Sequence, residues 1–146
     1  MTVRKMKSND LGIYFEKQLS AACFLRPCGL FRLHTVRSFR GVSNPCDFII
    51  MDKNFTALVE CKATNRDHFS CADFYQLKHF EEMDAFDTDG HYGVIVYFHS
   101  NDPSYVYVSG RKILENRTNR RPIRVATKDS YDFHAKSIDD LLNYFV

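Results

Sequence analysis

The stretch Tyr92-Gly93-Val94-Ile95-Val96-Tyr97-Phe98 is the longest apolar run in the chain, interrupted only by Gly93. It is far short of the roughly 20 residues that cross a bilayer. A segment with no polar face is expected of a central strand covered on both sides. A chain of 146 residues is long enough to bury its own core as one domain spanning residues 1–146. Its 45% apolar and 26% charged residues belong to a globular rather than a disordered chain.

Around that run the pattern alternates helix and strand. Ser8 or Asn9 can cap a helix over Asp10–Cys23, in which Leu11, Phe15, Leu19 and Ala22 recur at helical spacing and Glu16 borders the stripe. Pro27 and Gly29 stop it. Leu30–Val36 is β-rich and leads into a basic loop ending near Asn44. Cys46–Met51 and Phe55–Lys62 form a hairpin around Asp52-Lys53-Asn54. Ser70 to Asp73 fits a capping box before a helix reaching Phe86. Tyr105–Val108 is a further strand, and Ser137 with Asp140 can cap a last helix to Phe145. The order predicts an α/β fold, a mixed sheet flanked by helices.

The net charge is only +2, but it is unevenly spread. No acid separates Glu16 from Asp47, whereas Lys17, Arg26, Arg32, Arg37 and Arg40 lie between them. From Arg111 to Lys128 there is one acid, Glu115, among many bases; Glu81–Asp89 is the acidic counterweight. Basic patches of this kind attract phosphate, though a charge run is also how any solvated face looks. The basic N-terminus is not followed by an apolar signal segment, so the protein is expected to be cytoplasmic, with no membrane partner. The five cysteines form no CxxC pair. Cys61, His68 and Cys71, with Cys23 or Cys28, lack zinc-knuckle spacing. Phe31, Phe39 and Phe74 are most simply core.

The chemistry concentrates in the hairpin. Side chains alternate along a strand, so Glu60 and Lys62 project from one face, with Thr56 and Leu58 deeper on it. Asp47 begins the neighbouring strand beside the place where they end theirs. Two carboxylates and an ammonium thus converge where the apolar cover is expected to end, and Glu16 could supply a third carboxylate. Such carboxylates repel unless a hard divalent cation bridges them, and Mg²⁺ favours a few carboxylates, waters and substrate phosphate. The ion polarises a phosphodiester and lowers the pKa of bound water. Lys62 is expected to orient that water or neutralise charge on the phosphate, rather than pair structurally with an acid. The plainer alternative is an Asp at a turn near a surface Glu–Lys pair.

Asn44-Pro45-Cys46-Asp47-Phe48, followed after an apolar strand by Glu60-Cys61-Lys62, resembles the PD-(D/E)xK nuclease superfamily with its restriction-endonuclease-like core. Within it the chain is most similar to RecU-type Holliday junction resolvases. Gly12 to Glu16 looks like that family's first helix, Tyr75 to His79 like its His-Gln helix, and Gly93 to Phe98 like its next strand. The resemblance runs from about Asp10 to Val108. It implies Asp47 and Glu60 as ligands of Mg²⁺ (or Mn²⁺), helped by the Cys61 carbonyl, Lys62 as the catalytic lysine, and Glu16 and Gln76 in support. The family's long stalk is absent between His34 and Asp47, which bears on junction specificity more than on nuclease chemistry.

Arg37 and Arg40 immediately precede Asp47 and are candidates for DNA-backbone contacts; Arg117, Arg120 and Arg121 form a second candidate patch, expected in a flexible loop. Neither contains a base-reading signature, so binding is expected to follow DNA shape. The leading expectation is a Mg²⁺-dependent endonuclease of recombination or repair that cuts four-way junctions as a homodimer, because two symmetric nicks need two sites. Alternatives are a nuclease for flaps, ends or duplex, a non-catalytic DNA-binding module, and a metabolic or protein-interaction domain.

Overall fold

A computed structural model of the chain describes residues 4–26, 28–33, 46–73, 79–82 and 91–146. Six strands form one sheet in sequential order: β1 (Gly29–Arg32), β2 (Phe48–Met51), β3 (Thr56–Thr64), β4 (His91–Phe98), β5 (Ser104–Ser109) and β6 (Phe133–Ala135). β3 and β4 run parallel; every other neighbouring pair is antiparallel. The expected mixed sheet is therefore present. Among the described residues it is accompanied by α1 (Ser8–Leu25), α2 (Gly110–Thr118) and α3 (Ile138–Tyr144), besides the helical residues 79–82.

The apolar run occupies β4, at the centre. Val94, Ile95 and Val96 are fully buried. Burying such a side chain is worth about 1.5–3 kcal/mol, so these residues anchor both layers. Ile95 and Tyr97 face one core with Ala57 and Val59 of β3, Leu11, Phe15, Leu19 and Cys23 of α1, and Leu141 and Leu142 of α3. Val94, Val96 and Phe98 face the other, with Val106, Val108, Ile113 of α2, Phe80 and Ile123. Gly93 is required by close approach: a Cβ there would run into the Val108 carbonyl and lie 2.9 Å from Ser109 Cα.

The hairpin turn works as its residues suggest. Asp52 Oδ1 accepts from the backbone N–H groups of Asn54 (2.6 Å) and Phe55 (3.1 Å), holding the chain between β2 and β3. The Ser137 hydroxyl likewise caps α3 by accepting from Asp140 N–H at 3.2 Å.

Several local expectations change. α1 starts at Ser8 with Lys7 as its N-cap and no side-chain cap, so neither Ser8 nor Asn9 caps it. Ser70 precedes a 3-10 turn, Cys71–Asp73, and its hydroxyl accepts from Ala72 N–H. Residues 79–82 are helical, in agreement with the helix expected before Phe86. The basic stretch after β5 begins as a helix, because Ser109 caps it by accepting from Lys112 N–H at 3.2 Å and Ile113 anchors it; Arg117 is therefore helical, whereas Asn119 and Arg120 form a turn after the helix and Arg121 follows it. Phe31 is 53% exposed rather than core, because β1 is only thinly covered. Arg37, Phe39, Arg40, Asn44, Phe74 and Gln76 lie outside the described residues.

Candidate active site

Strand register builds the site. Phe48 pairs with Val59, and the Asp47 N–H donates to the Val59 carbonyl at 3.2 Å, so Asp47 enters the sheet beside Glu60. The Asp47 carbonyl in turn accepts from Leu33 N–H at 2.8 Å, tying this residue to the end of β1. Asp47 Oδ2 accepts from the Cys61 N–H at 3.4 Å. Its carboxylate is thus held against the strand that carries Glu60 and Lys62, as the hairpin spacing predicts.

Alternation decides the rest. Glu60 pairs with Val94 and Lys62 with Val96, so both side chains face the α2 layer. Cys61 points the opposite way, toward α1. Glu60 is deeper than expected. It is 2% exposed, because the apolar cover of the Val94 and Val96 face continues past it, whereas the Lys62 side chain keeps 26% of its exposure. Lys62 Nζ lies 3.2 Å from Glu60 Oε1. The expectation that Lys62 has no structural acid partner is therefore corrected: two-residue alternation sets its ammonium beside the Glu60 carboxyl on the same strand face.

Burial pushes the Glu60 carboxyl up to about 7, and the neighbouring Asp47 charge adds to the rise while Lys62 opposes it. The same cluster acts on the thiols. Burial, then Glu60 and Asp47, push Cys46 up to about 11. Cys61 is raised well above the ordinary range by burial, then by Asp47, Glu60 and Glu16. All five cysteines are free thiols. Cys23, Cys28 and Cys61 line the α1 layer and Cys46 and Cys71 the other, so the sheet divides them.

Glu16 reaches the neighbourhood from α1 but is engaged by Arg32 in a fork, with Nη1 3.1 Å from Oε2 and Nη2 3.5 Å from Oε1. Arg32 also lies over the Phe48 ring, 5.6 Å from its centroid. Among the described residues no three His, Cys, Asp or Glu side chains form a metal-ligand group, so Glu16 does not complete a three-carboxylate set. The Glu16–Arg32 pair could not be found from spacing, because it joins a helix to a strand edge. What remains is a pair of hard carboxylates, Asp47 and Glu60, whose mutual repulsion a divalent cation would relieve; Mg²⁺ characteristically takes one or two carboxylates and keeps its waters. The donor set fits that ion.

The second candidate patch is only partly available. Arg117 lies 3.7 Å from Glu81, and Arg121 pairs with Glu115 at 3.1 Å while its Nε donates to Asn116 Oδ1 at 2.8 Å. Arg120 makes no ion pair among the described residues, and its backbone sits at a φ of 52°. The three arginines nonetheless line one recess of about 200 Å³ with Ser70 and Cys71. Among the described residues no helix is long and apolar enough to cross a membrane.

No family model and no curated protein matches the chain. Its fold does match a solved structure, that of Hjc, a Holliday junction resolvase from the archaeal hyperthermophile Archaeoglobus fulgidus. The TM-score is 0.58 over 89% of this chain and 98% of that one, at 14% identity. The neighbour is an archaeal Hjc, so the likeness supports a resolvase-like fold and does not single out RecU. The chain has the α/β, restriction-endonuclease-like architecture of that resolvase, and on it Asp47, Glu60 and Lys62 meet at adjoining strand positions.

Proposed function

We propose that the protein is a Mg²⁺-dependent endonuclease that hydrolyses phosphodiesters in branched DNA, acting on four-way junctions as a homodimer in recombination or repair. The observation that carries this reading is the gathering of Asp47, Glu60 and Lys62 across β2 and β3, on a fold shared with a Holliday junction resolvase. Asp47 and Glu60, with the Cys61 carbonyl, would hold the ion, which when bound supplies a polarised phosphate and a more acidic water. Hydrolysis joins a water oxygen to phosphorus and releases a sugar oxygen, so negative charge grows on the phosphoryl group. Lys62, partly exposed beside the carboxylates, is placed to neutralise that charge or orient the water. Its pairing with Glu60 places the ammonium beside the carboxylates, and a cation held by Asp47 and Glu60 would leave Lys62 available for this role. Arg37 and Arg40, next to Asp47 in sequence, and the Arg117–Arg120–Arg121 recess are the proposed backbone contacts, with Glu16 and Gln76 as supporting residues.

The test compares a four-way junction, a flap and linear duplex, each with Mg²⁺ and with EDTA. The junction should be cut fastest and only with the metal. Preference for the flap or duplex would move the substrate but keep the chemistry; binding without cutting would leave a DNA-binding module. In parallel, Lys62→Ala should still shift the junction in a gel with Ca²⁺ yet cut it about 10² to 10³ more slowly with Mg²⁺. Cutting at the wild-type rate would remove Lys62 from the mechanism.

A further inference from the structure

A pocket at the end of β3 and β4 takes no part in the chemistry above. Its volume is about 450 Å³, within the roughly 300–1,000 Å³ typical of ligand sites. Register places it beside the catalytic strand positions. Side chains 60, 62 and 64 share a face with their partners Val94, Val96 and Phe98. Phe98 lies two residues, about 7 Å, beyond Val96, the partner of Lys62. Phe98, of the α2-side core, and Val125, packed against that core, give the pocket apolar lining. The pocket therefore continues the face on which Lys62 stands.

The rim decides what fits. Arg124 Nη1 lies 3.4 Å from Asp67 Oδ2, and Lys136 Nζ lies 2.9 Å from Asp102 Oδ2. A phosphate at Arg124 or Lys136 would have to compete with the carboxylate each already meets. A neutral, flat group with donors and acceptors along its edge meets the complementary set: carbon surface beneath, guanidinium and ammonium donors and carboxylate acceptors around it. Within a DNA strand that group is the nucleobase. Arg66, which makes no ion pair among the described residues, lines the same pocket between Thr64 and Asp67.

Resting on the nuclease reading, we propose that this pocket receives an unstacked nucleobase of the strand being cut, from a nucleotide flanking the scissile phosphate. Branch points expose such bases at least cost, because pairing and stacking are already weakened there. The pocket then gives the enzyme a base preference beside the cut, in addition to shape.

The experiment places single abasic residues, one position at a time, along the cut strand of a fluorescent four-way junction and measures Kd with Ca²⁺ in place of Mg²⁺. Wild-type protein should lose about tenfold in affinity at one position beside the cut, as expected for losing one stacked base. Ala126→Trp should fill the pocket from its exposed lip. It should bind the intact and abasic junctions alike, at the affinity wild type shows for that one abasic position. Ser100→Trp, from another exposed lip residue, repeats the block independently. An even Kd across the wild-type scan overturns the pocket while leaving the nuclease reading in place. A dip that survives both tryptophans also overturns it, by putting the base elsewhere. Failure to bind any of these junctions overturns both readings together.

Discussion

Glu60 carries the sharpest conflict in the molecule, a carboxyl 2% exposed with another carboxylate beside it. Its position was legible because two-residue alternation and hairpin pairing are local rules that Asp47, Glu60 and Lys62 all obey. Its depth was not, since that depends on how far the core behind β3 extends. The pH consequence follows from the direction of the shift. With its pKa raised from 4.5 to about 7, folded Glu60 keeps a proton that the unfolded chain releases between those values. The group's contribution to stability is therefore full below about 4.5, falls as pH rises, and is spent above about 7. The loss is on the order of 3 kcal/mol, at about 1.36 kcal/mol per pKa unit. Urea unfolding in EDTA at pH 5 and pH 8 should show wild type weaker at the higher pH and Glu60→Gln nearly flat between them. Parallel behaviour of the two proteins would mean that Glu60 ionises normally.

At the level of elements, β4 was legible because nothing polar interrupts it, and the β2–β3 turn because Asp52 and Asn54 have one common use. α2 and β6 were hidden for opposite reasons. The charges of Arg111, Lys112 and Arg117 mask the short apolar pair Ile113 and Leu114, and β6 has only three residues, stabilised by pairing with β5 rather than by its own pattern. The tight approach of β4 to β5 at Gly93 predicts that Gly93→Ala costs about 1–3 kcal/mol through a backbone shift, read as a lower denaturation midpoint. An unchanged midpoint would mean that the two strands separate freely there. α2 and the turn after it also change how their arginines should be tested. Arg121 supports Asn116 and pairs with Glu115, so replacing it confounds folding with binding. Arg117→Ala with Arg120→Ala is the cleaner pair. If both residues neutralise phosphates, the salt dependence of duplex binding should become shallower, on log-log axes, by about 0.9 for each phosphate no longer neutralised. An unaltered slope would place the DNA away from this recess.

For the whole molecule, the layered α/β plan could be derived from the all-apolar strand, which demands cover on both faces, and α1 with α3 on one side and α2 on the other provide it. What the plan leaves to assembly is symmetry. A single chain brings one Asp47–Glu60–Lys62 site, whereas resolving a two-fold junction takes two cuts on opposed strands. If the homodimer proposed above forms, one defective site should convert resolution into nicking. Wild-type protein mixed, after unfolding and refolding together, with an excess of Lys62→Ala would then exist mainly as mixed dimers and fully inactive dimers. On a plasmid carrying an extruded cruciform, wild type alone should produce linear DNA by paired cuts. The mixture should accumulate nicked circles, because the inactive partner holds the junction without cutting its strand. The same ratio of linear to nicked product in both samples would mean that each chain acts alone, and the homodimer would be abandoned while the single-strand chemistry of Lys62 stood.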